Sequence, residues 1–291
     1  MKMRTIITFV LFLFLAGSCK KDNEGNATKA VFSYVTDGFR ANFTNFSTNA
    51  KEYEWDFGDG SDPSIQRNPT HLYSRAGEFT VRLTIRNGEQ TSTFEDLVFI
   101  EGPNIKIDAN FNDWEHVSFT AVIEDGSAGK FKALKTYASA ENLFFYIEGT
   151  EDMELNSLNL LINKDNNPAT GRAYWWYPGG AGVEFMLEGA HNKDAPELTI
   201  GTIYAFGGAN GTEDWVWNPT AEFGGNVQFS KTVVAGGVAA IEFSVKRSAI
   251  GNPAGEFTFA LINRDASYNP ESSIPVWVGG NPTATFLAFK L

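Results

Sequence analysis

The sequence predicts an all-β protein made of two β-sandwich domains in tandem, the second larger and of jelly-roll type. Three observations carry this. Apolar residues recur with a period of two in run after run, as half-buried strands require. The chain holds 28 Gly and 25 Phe, while the long Ala/Leu/Glu/Lys stretches of helical proteins are missing. Its 291 residues suggest about two domains at roughly 100–200 residues each. Composition also excludes function classes. One Cys forms no intramolecular disulfide and no Cys-rich metal centre. Three His, at 71, 116 and 191, are too scattered for a His-based site. A formal charge of −12 opposes nucleic-acid binding, which rests on Lys and Arg neutralising phosphates.

Lys2 and Arg4 precede an apolar run, Ile6 to Leu15, too short for a bilayer that needs roughly 20 residues. Ala16, Gly17 and Ser18 then lead to Cys19. This resembles a bacterial lipoprotein signal, with residues 1–18 removed and Cys19 lipidated as the new N-terminus; Ala16 stands where such signals usually carry Leu. An ordinary secretory peptide with an incidental Cys is the alternative. Diacylglycerol plus a third acyl chain provides stable anchoring. Residues 19–28 read as a lipidated tether without apolar anchors. Lys20-Lys21-Asp22-Asn23-Glu24 resembles the export tag of surface-exposed outer-membrane lipoproteins. The expected location is the outer membrane, with membrane contact through the lipid alone.

In residues 29–102, Ala30–Val35, Arg40–Phe46 and Glu52–Phe57 read as strands. Phe79, Val81, Leu83 and Ile85 alternate with Thr80, Arg82, Thr84 and Arg86. Asn87-Gly88 is expected to turn the chain into the strand Thr91–Ile100. Short strands at this spacing predict a small β-sandwich. Tyr53-Glu54-Trp55-Asp56-Phe57-Gly58-Asp59-Gly60, His71-Leu72-Tyr73 and Gly77-x-Phe79-Thr80-Val81 together resemble the polycystic kidney disease (PKD) domain. The resemblance implies an immunoglobulin-like sandwich acting as a spacer or adhesive module. Trp55, Phe57 and Tyr73 are expected in its core. Asp56, Asp59 and Asp62 are either turn formers or calcium ligands.

Glu101-Gly102-Pro103-Asn104 interrupts the strand pattern and marks a boundary. In residues 103–291, strands are expected over 119–124, 131–138, 143–148, 158–163, 183–188, 198–205, 227–234, 238–245, 257–263 and 285–290, with a short helical turn over 246–250. Strands without helices between them argue for antiparallel sheets. Ile107-Asp108-Ala109-Asn110-Phe111-Asn112-Asp113-Trp114, with Asn142–Glu148, Leu161–Gly171 and Gly182–Glu188, resembles the family 9 carbohydrate-binding modules and their relatives. Ala109 replaces the glycine preferred in that opening turn, so an altered turn is expected. Trp114 reads as structural.

Tyr174-Trp175-Trp176-Tyr177-Pro178-Gly179-Gly180 is the most informative stretch. Four consecutive aromatics break the alternation of a half-buried strand, so some are expected to face water or a ligand, and sugars stack their C–H faces on such rings. The resemblance implies a terminal sugar clamped between two tryptophans. Trp175 or Trp176, with Tyr177 alongside, fits the first position and Trp277 the second. Trp215 and Trp217 fall on one strand face, either in the core or extending the site. Asn163, Asp165 and Asn167 form either a candidate calcium site or an Asx-rich turn.

No Gly-x-Ser-x-Gly or His-Glu-x-x-His motif is present, and Glu184 and Glu188, four residues apart on one strand face, lie roughly 13 Å apart, too far for a glycosidase pair. The expected function is therefore non-catalytic: a surface lipoprotein that binds a polysaccharide or glycan for neighbouring glycan-uptake or glycan-degrading proteins, with calcium as a structural ion. A β-sandwich glycoside hydrolase or lyase, and an adhesion protein with protein partners, are the alternatives.

Overall fold

The computed structural model describes residues 27–174, 176–177, 181–277 and 285–291. Cys19, with the leader and most of the tether, and Trp175 lie outside these residues. The described residues contain strands and short 3-10 turns and no α-helix. The chain divides into two compact units between Glu101 and Gly102.

The first unit holds β1 (Phe32–Asp37), β2 (Arg40–Asn45), β3 (Glu52–Asp56), β4 (Thr70–Leu72), β5 (Gly77–Asn87) and β6 (Gln90–Ile100). They form two three-stranded sheets in the orders β1-β2-β4 and β3-β5-β6. The alternation of β5 is realised: Phe79, Val81, Leu83 and Ile85 are buried while Thr80 and Arg82 are exposed. Trp55, Phe57 and Tyr73 are buried in the core, and Phe43 lies against both Trp55 and Phe57.

Asp56 and Asp59 serve turns here: their carboxylates accept from the amides of Gly58 and Ser61 at 3.0 and 3.1 Å. Asp59 also bonds His71 Nε2 at 2.7 Å. Gly58 has φ +75°, and a Cβ there would lie 2.4 Å from the Thr80 carbonyl oxygen, so both the turn and the close approach need glycine. The β5–β6 hairpin turns one residue later than expected. Asn87 pairs with Gln90, and Gly88, at φ +63°, opens the two-residue loop, the position where glycine is favoured.

The second unit holds β7 (Phe119–Val122), β8 (Phe131–Ala138), β9 (Asn142–Thr150), β10 (Ser157–Asn163), β11 (Phe185–Ala190), β12 (Ile200–Phe206), β13 (Trp217–Glu222), β14 (Val227–Phe229), β15 (Val233–Ala235), β16 (Val238–Lys246), β17 (Glu256–Arg264), β18 (Pro270–Ile274) and β19 (Leu287–Lys290). One sheet runs β13-β12-β11-β10-β17-β18 with β19 also on β17; the other runs β14-β16-β9-β8-β7 with β15 also on β16. All pairings are antiparallel. The segment expected as one strand over 227–234 is two, β14 and β15. Strand β18 begins at Pro270 and β13 contains Pro219 next to a register shift, which hides both from a pattern search.

The core between the sheets is rich in Phe: Phe145 and Phe243 stack at 4.7 Å, and Phe229 joins Phe243 at 5.0 Å. Each such ring contributes roughly 1.5–3 kcal/mol on burial. The larger sheet is buried on its second face too. Leu158, Leu160 and Ile162 of β10 enter the main core, while Leu161 joins a separate cluster with Met186, Ala260 and Ile262. A strand covered on both faces needs no polar alternation, and β10 is buried throughout.

On the smaller sheet, the segment before β7 covers Glu242 of β16, which has no exposed surface. Ala109 in that segment takes the left-handed conformation that favours glycine, at φ +68°.

Candidate functional site

The second face of the larger sheet carries the candidate site. Its cover is the connection from β10 to β11, joined by residues of the β12–β13 and β17–β18 connections. The connection leaves β10 through the Asn163–Thr170 turn and is pinned by a bridge between Arg172 and Val183. Gly171, at φ +64°, permits that bridge, since a Cβ there would lie 2.6 Å from the Val183 carbonyl.

Aromatic rings and guanidinium groups alternate across this face. Arg172 lies 4.9 Å from the Trp215 ring and 4.4 Å from that of Tyr174. Tyr174 meets Trp176 edge-on at 5.8 Å. Arg264 then lies 4.7 Å from Trp176 and 5.3 Å from Tyr268. The result is a strip, Trp215–Arg172–Tyr174–Trp176–Arg264–Tyr268, whose ends are open: Trp215 is 62% and Tyr268 56% exposed. Cation–π contacts of this kind contribute about 0.5–2 kcal/mol each. Polar groups border the Tyr268 end. Tyr268 donates its hydroxyl to Glu188 at 2.6 Å, Asn159 donates to Glu188 at 2.9 Å, and Arg264 Nε donates to Asn159 at 3.2 Å. Burial pushes the Tyr174 hydroxyl up to about 12, so it stays protonated at neutral pH.

Several expectations change here. Tyr177 is wholly buried and its hydroxyl donates to the Pro275 carbonyl at 3.0 Å, which makes it a core residue. Trp176 is 7% exposed. Its ring centroid lies 5.1 Å from that of Trp277, whereas two rings clamping a sugar stand about 7–8 Å apart, twice the van der Waals spacing. Trp176 and Trp277 therefore fill each other's space. The described rings of the run, Tyr174, Trp176 and Tyr177, are all buried in the cluster on the second sheet face. Trp215 and Trp217 do not share one environment. Trp217 is half-buried against the second cluster, while Trp215 is exposed and meets it edge-on at 6.1 Å. Arg172, Arg264 and Tyr268 were not anticipated, since isolated arginines carry no periodic signal and each has a ring partner, Trp215 or Trp176, from a distant segment.

The side chains of Asn163, Asp165 and Asn167 all accept from backbone amides of their own turn: Asn163 and Asp165 from Asn167, and Asn167 from Ala169. The structure adds Thr170 and Glu184. Thr170 Oγ1 lies 3.0 Å from both Asp165 carboxylate oxygens, 3.0 Å from Glu184 Oε1 and 2.9 Å from the Asn167 carbonyl. Burial, with Asp165 nearby, lifts Glu184 to about 7 against the amide of Lys164 and the Thr170 hydroxyl, which pull it down. Among the described residues no three His, Cys, Asp or Glu side chains gather as metal ligands. The gathering at this turn is two carboxylates, a hydroxyl and a carbonyl, an all-oxygen set of the kind calcium takes.

Residues 22–102 match the PKD domain family model. The N-terminal unit is a PKD domain. The PKD1 domain of Vibrio anguillarum Epp is 34% identical, with 28% of this chain and 100% of that one covered and a TM-score of 0.26. For the PKD1 domain of the Vibrio cholerae metalloprotease PrtV the figures are 28%, 25%, 96% and 0.24. Human polycystin-1-like protein 1 is 43% identical over 56 residues, 19% of this chain. This chain spans 2% of the length of that curated relative. A solved structure of promiscuous carbohydrate-binding modules from the β-sandwich superfamily covers 77% of this chain and 92% of its own, at 19% identity and a TM-score of 0.24. The PKD domain contributes no residue to the aromatic strip, all of whose members follow residue 171.

Proposed function

We propose that this chain is a non-catalytic, lipid-anchored surface protein that holds a polysaccharide on the aromatic–arginine strip of residues 102–291. The observation that carries the reading is the exposure of Trp215 and Tyr268 at the two ends of an otherwise covered strip, 62% and 56%. Flat apolar rings in water beside aimed polar groups suit a saccharide. The opening around Ile107–Trp114 and its resemblance to family 9 carbohydrate-binding modules support the same class. In this reading Cys19 carries the lipid in the outer membrane, the PKD domain is a spacer, and captured glycan passes to neighbouring uptake or degrading proteins. Asp165, Thr170 and Glu184 hold a structural calcium that stiffens the connection carrying Arg172.

Isothermal titration against a glycan panel tests the site. Binding lost in the Trp215→Ala, Tyr268→Ala double variant supports it, and equal binding by wild type and variant overturns it. Metabolic labelling with palmitate, lost in Cys19→Ala, tests the anchor. The Asp165–Glu184 pair is the feature that favours a hydrolase instead; reducing-end release abolished by Glu184→Gln would establish that alternative.

A further inference from the structure

We infer that the strip selects an acidic saccharide, one bearing uronate or sulfate groups, through Arg264 with Arg172 behind it. The inference rests on the glycan-binding reading above and names the ligand class. Residues 104–291 carry 22 acidic and 12 basic side chains, of which only three are arginines. Two of those three stand on this one face. Neither lies within 4.0 Å of a carboxylate among the described residues, where the ion pairs engage His71, Arg82, Arg86, Lys130 and Lys193.

Arg172 is 6% exposed and directs its nitrogens only at neutral acceptors, the carbonyls of Ala173, Glu213 and Asp214 at 3.1, 2.8 and 3.0 Å. Arg264 donates Nε to Asn159 and Nη1 to the Tyr268 carbonyl, and its Nη2 has no partner among the described residues. The Glu188 carboxylate at this end is engaged by Asn159 and Tyr268.

A cation withdrawn from water outside any ion pair, as Arg172 is, is unfavourable, and an anionic ligand nearby relieves this. Guanidinium groups recognise carboxylate and sulfate oxygens with charge-assisted, geometrically specific hydrogen bonds. The exposed Tyr268 ring beside Arg264 offers a stacking surface within reach of the same sugar.

Matched polymers test this by isothermal titration with the full chain: oligogalacturonate against its methyl ester, and dextran sulfate against dextran. The expected result is about tenfold or greater preference for at least one acidic member, weakening as NaCl rises. Which pair shows the preference tells uronate from sulfate. Arg264→Gln is expected to abolish the preference and Arg264→Lys to keep part of it. Equal affinity for charged and uncharged members overturns the inference and leaves glycan binding standing. No binding to these polymers or to the neutral glycan panel overturns glycan binding itself.

Discussion

The indole Nε1 of Trp114 donates to Glu242 Oε2 at 2.8 Å, across 128 residues of sequence. The other oxygen of the same carboxylate accepts from the amides of Asp108 and Ala109 at 2.9 and 2.7 Å. Lys135 adds a bond from its ammonium to the Trp114 carbonyl at 2.8 Å. One buried glutamate thus ties the opening turn of the larger unit to its smaller sheet.

Glu242→Gln replaces a carboxyl group that accepts three hydrogen bonds with an amide that turns a donor toward other donors. The expected loss is about 2–3 kcal/mol. It is read as a lower urea midpoint for the transition of residues 102–291, with the PKD domain's transition unchanged.

Ala109 holds φ +68°, where an L-residue other than glycine is disfavoured by roughly 1–2 kcal/mol. Ala109→Gly removes that strain, and the greater freedom of the unfolded chain offsets part of it. A net gain of about 0.5–1 kcal/mol is expected in the same urea experiment. A loss would mean that the Ala109 methyl group makes contacts worth more than the strain.

Trp176 and Trp215 separate stability from binding. Trp176→Ala opens a cavity in the second cluster and is expected to destabilise by about 3–5 kcal/mol. Trp215→Ala removes an exposed ring, so unfolding shifts by less than about 1 kcal/mol while glycan affinity falls about tenfold or more. Differential scanning calorimetry and titration of the same samples compare the two effects.

Glu184 has a folded value of about 7 against the usual 4.5. Between those values folding takes up a proton at this group, so the stability contributed by Glu184 is full below pH 4.5 and is lost as pH rises through 7. In EDTA, Glu184→Gln is expected to flatten that decline. Calcium is expected to raise the wild-type melting temperature most at the upper end, where both carboxylates are charged, and to leave Asp165→Asn unmoved.

Much of the architecture is local information. The two-residue period of β5 places Val81, Leu83 and Ile85 inward whatever surrounds them, because successive side chains of a strand point to opposite faces. The Trp55–Gly60 motif specifies a turn through the backbone freedom of Gly58. The aromatic strip is different in kind. Trp215, Arg172, Trp176 and Tyr268 come from three separate connections and Arg264 from the end of β17, and no spacing in the chain encodes their meeting. Whether Tyr174, Trp176 and Tyr177 faced solvent depended on the second face of β10 being apolar and needing a cover. That property is set by β10's neighbours in the sheet. At Ala109 the backbone takes the left-handed conformation with its amide held by the Glu242 carboxylate, 133 residues away. The sequence by itself determined most of the strands, the two sandwiches and their apolar faces, since these follow from short-range alternation. Tertiary structure decided which rings are buried, which arginines stand outside ion pairs, and so where the proposed site lies, because burial and charge pairing depend on residues brought together only when the sheets close.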